Sequence, residues 1–112
     1  MKIPTAALAL SLTLSLITAP AIASEAQDAA IAALGEISGI SLACKQPAIV
    51  SQARNAVATT VHKSRVNGEI FENANNDAFL EQGKGKACPT SAQLIERLRA
   101  AEKNLSTAFA TK

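Results

Sequence analysis

The chain has 112 residues, of which 18% are charged and 3% aromatic, with a formal net charge of +2. This length holds one small domain. So even a charge balance argues against a nucleic-acid or polyanion binder, which needs clustered lysines and arginines. No segment alternates Val, Ile or Thr with polar residues, which argues against a sheet.

Residues 1–23 read as a secretory signal peptide. Met1-Lys2 supplies a positive start, Ala6 to Ile17 is apolar and uncharged, and Ala21-Ile22-Ala23 forms a small-residue cleavage site before Ser24. Cleavage after Ala23 leaves residues 24–112 as a single domain, periplasmic or secreted. Loss of Lys2 takes the net charge from +2 to +1. An uncleaved anchor over Ile3 to Ala23 is the alternative, but Pro20 and the small residues at 21 and 23 favour cleavage. No later apolar run reaches the roughly 18 residues of a span, so no membrane span is expected after cleavage.

The first mature helix should run from Glu25 to Ala43, with Ser24 as its N-cap and Glu25 and Asp28 placed well for the helix dipole. Ala30, Leu34, Ile37, Ser41 and Cys44 share its inner face, flanked by Ile31 and Ile40. Another side carries Ala32, Gly35, Gly39 and Ala43. Two glycines inside a helix cost about 1 kcal/mol each relative to alanine. Their i, i+4 spacing leaves a shallow groove that another backbone can approach closely. This is the candidate interaction face, for a protein partner or for a homodimer through this helix. The plain alternative is that the glycines loosen the helix or end it at Gly39.

Pro47 suits the first turn of a second helix, from Ala48 to Ser64. Ile49, Ala53, Ala56, Val57, Thr60 and Val61 form its inner face, and Ser51, Asn55, Thr59 and His62 point outward. Lys63 and Arg65 stand at its C-terminal end. Asn67-Gly68 then breaks the chain, and a third helix starts at Glu69. Ile70, Phe71, Ala74 and Ala78 share one face of it; Glu69, Glu72, Asn73 and Asn76 share the other, where Leu80 would also fall. Asn75-Asn76-Asp77 favours caps and turns, which predicts a break and a short fifth helix from Asp77 to Gln82. Gly83 to Lys86 connects to the last helix, whose start is marked by the capping box Thr90 with Gln93. Leu94, Leu98, Ala101, Leu105, Ala108 and Phe109 form its stripe, with Ile95 beside it and Arg97, Arg99 and Lys103 outside.

Cys44 and Cys88 are the whole thiol inventory. In a short exported chain an even count implies a disulfide. Closing a loop of about 45 residues stabilises by roughly 4 kcal/mol in the chain-entropy model. That is a large part of the roughly 5–10 kcal/mol such a domain has in total. Metal binding by the thiols is the weaker reading, because neither sits in a C-x-x-C and His62 is the single histidine.

No catalytic constellation is visible, so the chain is read as not an enzyme and as needing no cofactor. His62 falls on the polar side of its helix, where a solvated histidine is the plain reading. Glu69 and Glu72 form a carboxylate pair at i, i+3, which on an exposed face more often serves solvation or a salt bridge. Together His62, Glu69 and Glu72 are the weak candidates for a metal. Gly83-x-Gly85 lacks the preceding strand of a phosphate loop. Lys84-Gly85-Lys86 is a basic tip, read as solubility or as a contact for an acidic partner.

The runs Leu42-Ala43-Cys44, Arg65 to Glu72, Ala78-Phe79-Leu80 and Cys88-Pro89 resemble a pattern in small exported bacterial proteins of unknown function. That resemblance implies a single-disulfide helical fold and brings no activity. In outline the architecture is also similar to the acid-activated periplasmic chaperones of enteric bacteria, which are small, helical and stapled by one disulfide, though no motif is shared. The expectation is an all-α domain of four helices, or five if the third breaks. Its function would be a non-enzymatic binding or interaction protein of chaperone-like or inhibitory kind. The alternative is a small-ligand or metal carrier using His62 and nearby carboxylates; a small hydrolase is the least favoured reading.

Overall fold

The computed structural model describes residues 19–110, with side chains described from Glu25 onward. Residues 1–18, which carry most of the predicted signal peptide, lie outside the described residues. Four helices follow in order: α1 (Ala19–Ala43), α2 (Pro47–Thr60), α3 (Arg65–Gln82) and α4 (Ser91–Ala108). The described residues contain no strand. None of the described helices is long and apolar enough to cross a membrane.

Helix α1 is the central element. The other three all pack on it; α2 and α4 also lie against each other, whereas the backbone of α3 approaches that of α1 alone among the described helices. Successive helices alternate in direction. Gly35 lies beside Phe71 and Ala74, and Gly39 beside Asn75 and Ala78, so α1 and α3 run parallel. Gln27 in the first half of α1 donates to the Ala108 carbonyl at the end of α4 (3.1 Å), and Cys44 after the end of α1 is bonded to Cys88 before the start of α4, so α4 runs antiparallel to α1. Ile31, Leu34, Leu94, Leu98 and Leu105 are the most deeply buried large side chains. They come from the two stripes that periodicity marks on the first and last helices.

Both ends of the α1–α2 corner are fixed by local chemistry. The Gln46 amide donates to Ser41 O (2.8 Å) and the Lys45 amide to Leu42 O (3.3 Å), a Schellman closure of α1. Lys45 takes the left-handed conformation that this closure requires (φ 61°). Cys44 beside it is bonded to Cys88, with 5.8 Å between the Cα atoms. The bridge ties the α1–α2 corner to the approach to α4, as expected. At α4 both halves of the capping box form: the Gln93 amide donates to Thr90 Oγ1 (3.1 Å) and the Thr90 amide to Gln93 Oε1 (2.9 Å).

Three boundaries differ from expectation. Helix α1 is described from Ala19, so Ser24 lies within it rather than capping it. Helix α2 ends at Thr60, because Val61 turns to extended backbone (φ −102°, ψ 139°); Thr60 is exposed. Helix α3 starts at Arg65, not Glu69. Ser64 stands extended before it, and its Oγ accepts the Asn67 amide (3.1 Å), an N-cap that outweighs the turn tendency of Asn67-Gly68. Arg65 therefore opens α3 instead of closing α2.

The break predicted at Asn75–Asp77 is absent, and residues 77–82 form no helix of their own: α3 continues to Gln82. Asn75 is buried, and its Oδ1 accepts the hydroxyl of Ser38 on α1 (2.8 Å). A side chain that would otherwise compete for its own backbone is engaged across the helix seam. Continuity leaves Leu80 on the outer face, 63% exposed.

Candidate binding cleft between α2 and α3

The four small residues of the candidate interaction face have separate fates. Gly35 and Gly39 are buried against α3. A Cβ on Gly35 would collide with the Phe71 carbonyl and stand 2.9 Å from Ala74 Cβ. One on Gly39 would collide with the Asn75 carbonyl and stand 2.9 Å from Ala78 Cβ. The face offered by sequence to a partner or a second copy is thus occupied, at its glycines, by α3 of the same chain. Ala32 and Ala43 remain half-buried, and Ala32 lines a groove of about 570 Å³ between α1 and α3.

Because α3 leans on α1 alone, its other flank does not close against α2. Among the described residues no backbone contact joins those two helices. The gap is a cleft of about 390 Å³, with Val57 and Ala58 on the α2 side, Gly68 and Phe71 on the α3 side, and Arg54, Arg65, Glu69, Glu72 and Asn73 around it. A smaller hollow of about 100 Å³ continues past Val57, Ala58 and Gly68 to His62, Lys63 and Ser64. The Asn67 side chain donates to the His62 carbonyl (2.9 Å) and holds this corner.

One ion pair bridges the cleft. Arg54 Nη1 donates to Glu72 Oε2 (2.7 Å) and Nη2 to Oε1 (3.3 Å). The same guanidinium lies 5.0 Å from the centroid of the Phe71 ring, within cation–π range. The hydrogen bonds from Arg54, with its charge adding to them, hold the Glu72 carboxyl below its usual 4.5 against the opposing effect of partial burial. Both side chains are about half exposed (44% and 50%), so the pair contributes no more than about 1 kcal/mol. Its main consequence is positional: it links the side chains of two helices whose backbones do not approach each other.

The structure brings Glu69 and Glu72 to the cleft and places His62 in the adjoining hollow. Glu72 is already engaged by Arg54. Among the described residues no three His, Cys, Asp or Glu side chains converge to hold a metal ion, so the geometry lends the metal-carrier alternative no support. The basic tip is exposed, with Lys84 Nζ 3.4 Å from Glu81 Oε1. Sequence reasoning missed Arg54 and Gly68 as cleft residues and placed Phe71 only in the core. An isolated arginine among alanines carries no periodic signal. Gly68 was legible only as a chain break.

No protein-family model matches this chain, and no curated protein or solved structure matches it either. The chemistry of the cleft has to be read from its own residues.

Proposed function

We propose that this chain is an exported, non-enzymatic binding protein that takes its partner in the α2–α3 cleft. The observation that carries this reading is an open cleft with apolar walls, bounded by an arginine pinned over an aromatic ring. Binding sites combine such apolar surface with a few placed polar groups. The electrostatics favour holding over proton transfer. A general acid needs a raised carboxyl pKa, whereas Arg54 depresses that of Glu72. Chaperone-like or inhibitory action would be binding of this kind. The disulfide suits an oxidising compartment, and the signal-like residues 1–23 point to the periplasm or the exterior.

The test is a set of amide chemical-shift titrations with short apolar peptides, small carboxylates, small amines and divalent metals. The reading predicts saturable shifts at Val57, Ala58, Gly68 and Phe71 for at least one of these probes. Saturable shifts confined to other surfaces, or none with any probe, would refute it.

A further inference from the structure

The two cysteines of the Cys44–Cys88 bridge stand in unlike surroundings. Cys44 is half-buried and packs against the core. Its amide donates to Ile40 O (2.9 Å), and the bonds that close α1 follow directly after it. Cys88 is exposed, at the end of a run in which residues 83–88 are all exposed. Among the described residues no backbone amide from Gly85 to Cys88 donates to a backbone carbonyl. A segment with its surface in water and no backbone ladder belongs to the easily opened part of a fold.

One side chain restrains this segment. Gln82, the last residue of α3, is buried, and its Nε2 donates to the carbonyls of Lys86 (3.0 Å) and Ala87 (3.1 Å). The same nitrogen lies 3.9 Å from Cys88 Sγ. Opening these two hydrogen bonds frees the connector without moving α4, whose Leu94, Leu98 and Leu105 remain in the core. Cys44 has no such freedom, because its corner is part of the helix closure.

Access governs which sulfur of a disulfide a thiolate attacks. We infer that the bridge exchanges with external thiols from the folded state, and that Cys88 is the site of exchange. The thiolate attacks Cys88 Sγ, the Cys44–Cys88 bond breaks, and its electron pair leaves on Cys44 Sγ, which takes a proton from solvent. The products are a mixed disulfide on Cys88 and a free thiol at Cys44, with no net oxidation or reduction. Gln82 is a positioning residue: by holding the connector it limits the rate. The exchange is independent of what the α2–α3 cleft binds.

The experiment incubates the oxidised protein with reduced glutathione well below its unfolding temperature. Acid stops the reaction, N-ethylmaleimide caps free thiols, and peptide masses locate both adducts. Glutathione should be found on Cys88 and maleimide on Cys44. The rate is then compared in two variants. Ser38→Ala weakens the fold as a whole without touching the connector, and should leave the rate within about twofold, whereas a route through global unfolding would speed up by roughly fivefold or more. Gln82→Ala should speed exchange severalfold, and by more than Ser38→Ala does. Glutathione on Cys44, or divided evenly between the two sulfurs, would overturn the inference. So would the absence of any mixed disulfide, an acceleration in Ser38→Ala that matches its lost stability, or a rate in Gln82→Ala no faster than the parent's.

Discussion

Gly35 and Ala74 face each other across the α1–α3 seam so closely that a methyl group added to Gly35 would stand 2.9 Å from the Ala74 Cβ. One turn on, Gly39 and Ala78 repeat the arrangement at the same distance. Small residues four apart on both helices let the backbones approach, and among the described helices the backbone of α3 comes close to no other.

Gly35→Ala and Gly39→Ala should therefore destabilise, although both improve helix propensity. The atoms in the way include the carbonyls of Phe71 and Asn75, which move only if α3 moves. Overpacking of this kind costs about 1–3 kcal/mol, and the larger Gly35→Leu and Gly39→Leu should cost more. Urea denaturation of the four variants decides the matter. Variants as stable as the parent would mean that α3 does not sit on these glycines.

Two serines one turn apart on α1 should respond with opposite signs. Ser38 donates to buried Asn75 (2.8 Å), and Ser38→Ala leaves that amide oxygen without its donor, a loss of about 1–3 kcal/mol. Ser41 is equally buried, and its hydroxyl has no hydrogen-bond partner among the described residues. Ser41→Ala removes an unsatisfied group and should be neutral or stabilising by up to about 1 kcal/mol. Thermal melts of both variants test this; equal losses would contradict it.

The Arg54–Glu72 bridge predicts a modest acid sensitivity. A carboxyl whose folded pKa lies below its unfolded value stabilises fully above the unfolded value near 4.5 and loses that contribution as pH falls through the folded value. Glu72→Gln should be less stable than the parent at neutral pH, by less than about 1 kcal/mol given the exposure of the pair. The gap should close in acid. A gap that stays constant across that range would show that the bridge contributes nothing through charge.

Reduction should be more damaging than any of these substitutions. The Cys44–Cys88 bridge spans 44 residues of sequence, and opening it restores about 4 kcal/mol of chain entropy to the unfolded state. Protein purified without reductant should show no alkylatable thiol, and dithiothreitol should lower its unfolding midpoint steeply. Two reactive thiols in native material would rule out the pairing.

Sequence alone determined the helical class, the inner stripes of α1 and α4, the capping box of Thr90 and Gln93 and the pairing of Cys44 with Cys88. Each of these rests on local chemistry, on helical periodicity or on there being only two cysteines, and none needs a neighbour to be known. The tertiary structure decided what covers Gly35 and Gly39, because periodicity marks a face without naming what fills it. It also decided the extent of α3. Asn67-Gly68 and Asn75-Asn76-Asp77 are turn formers in isolation. The Ser64 cap, the seam with α1 and the hydrogen bond from Ser38, 37 residues away, outweigh those local preferences. The cleft belongs wholly to the tertiary structure. It exists because the backbone of α3 packs on α1 and α3 meets α2 only through side chains, a relation between helices that no single helix's sequence records.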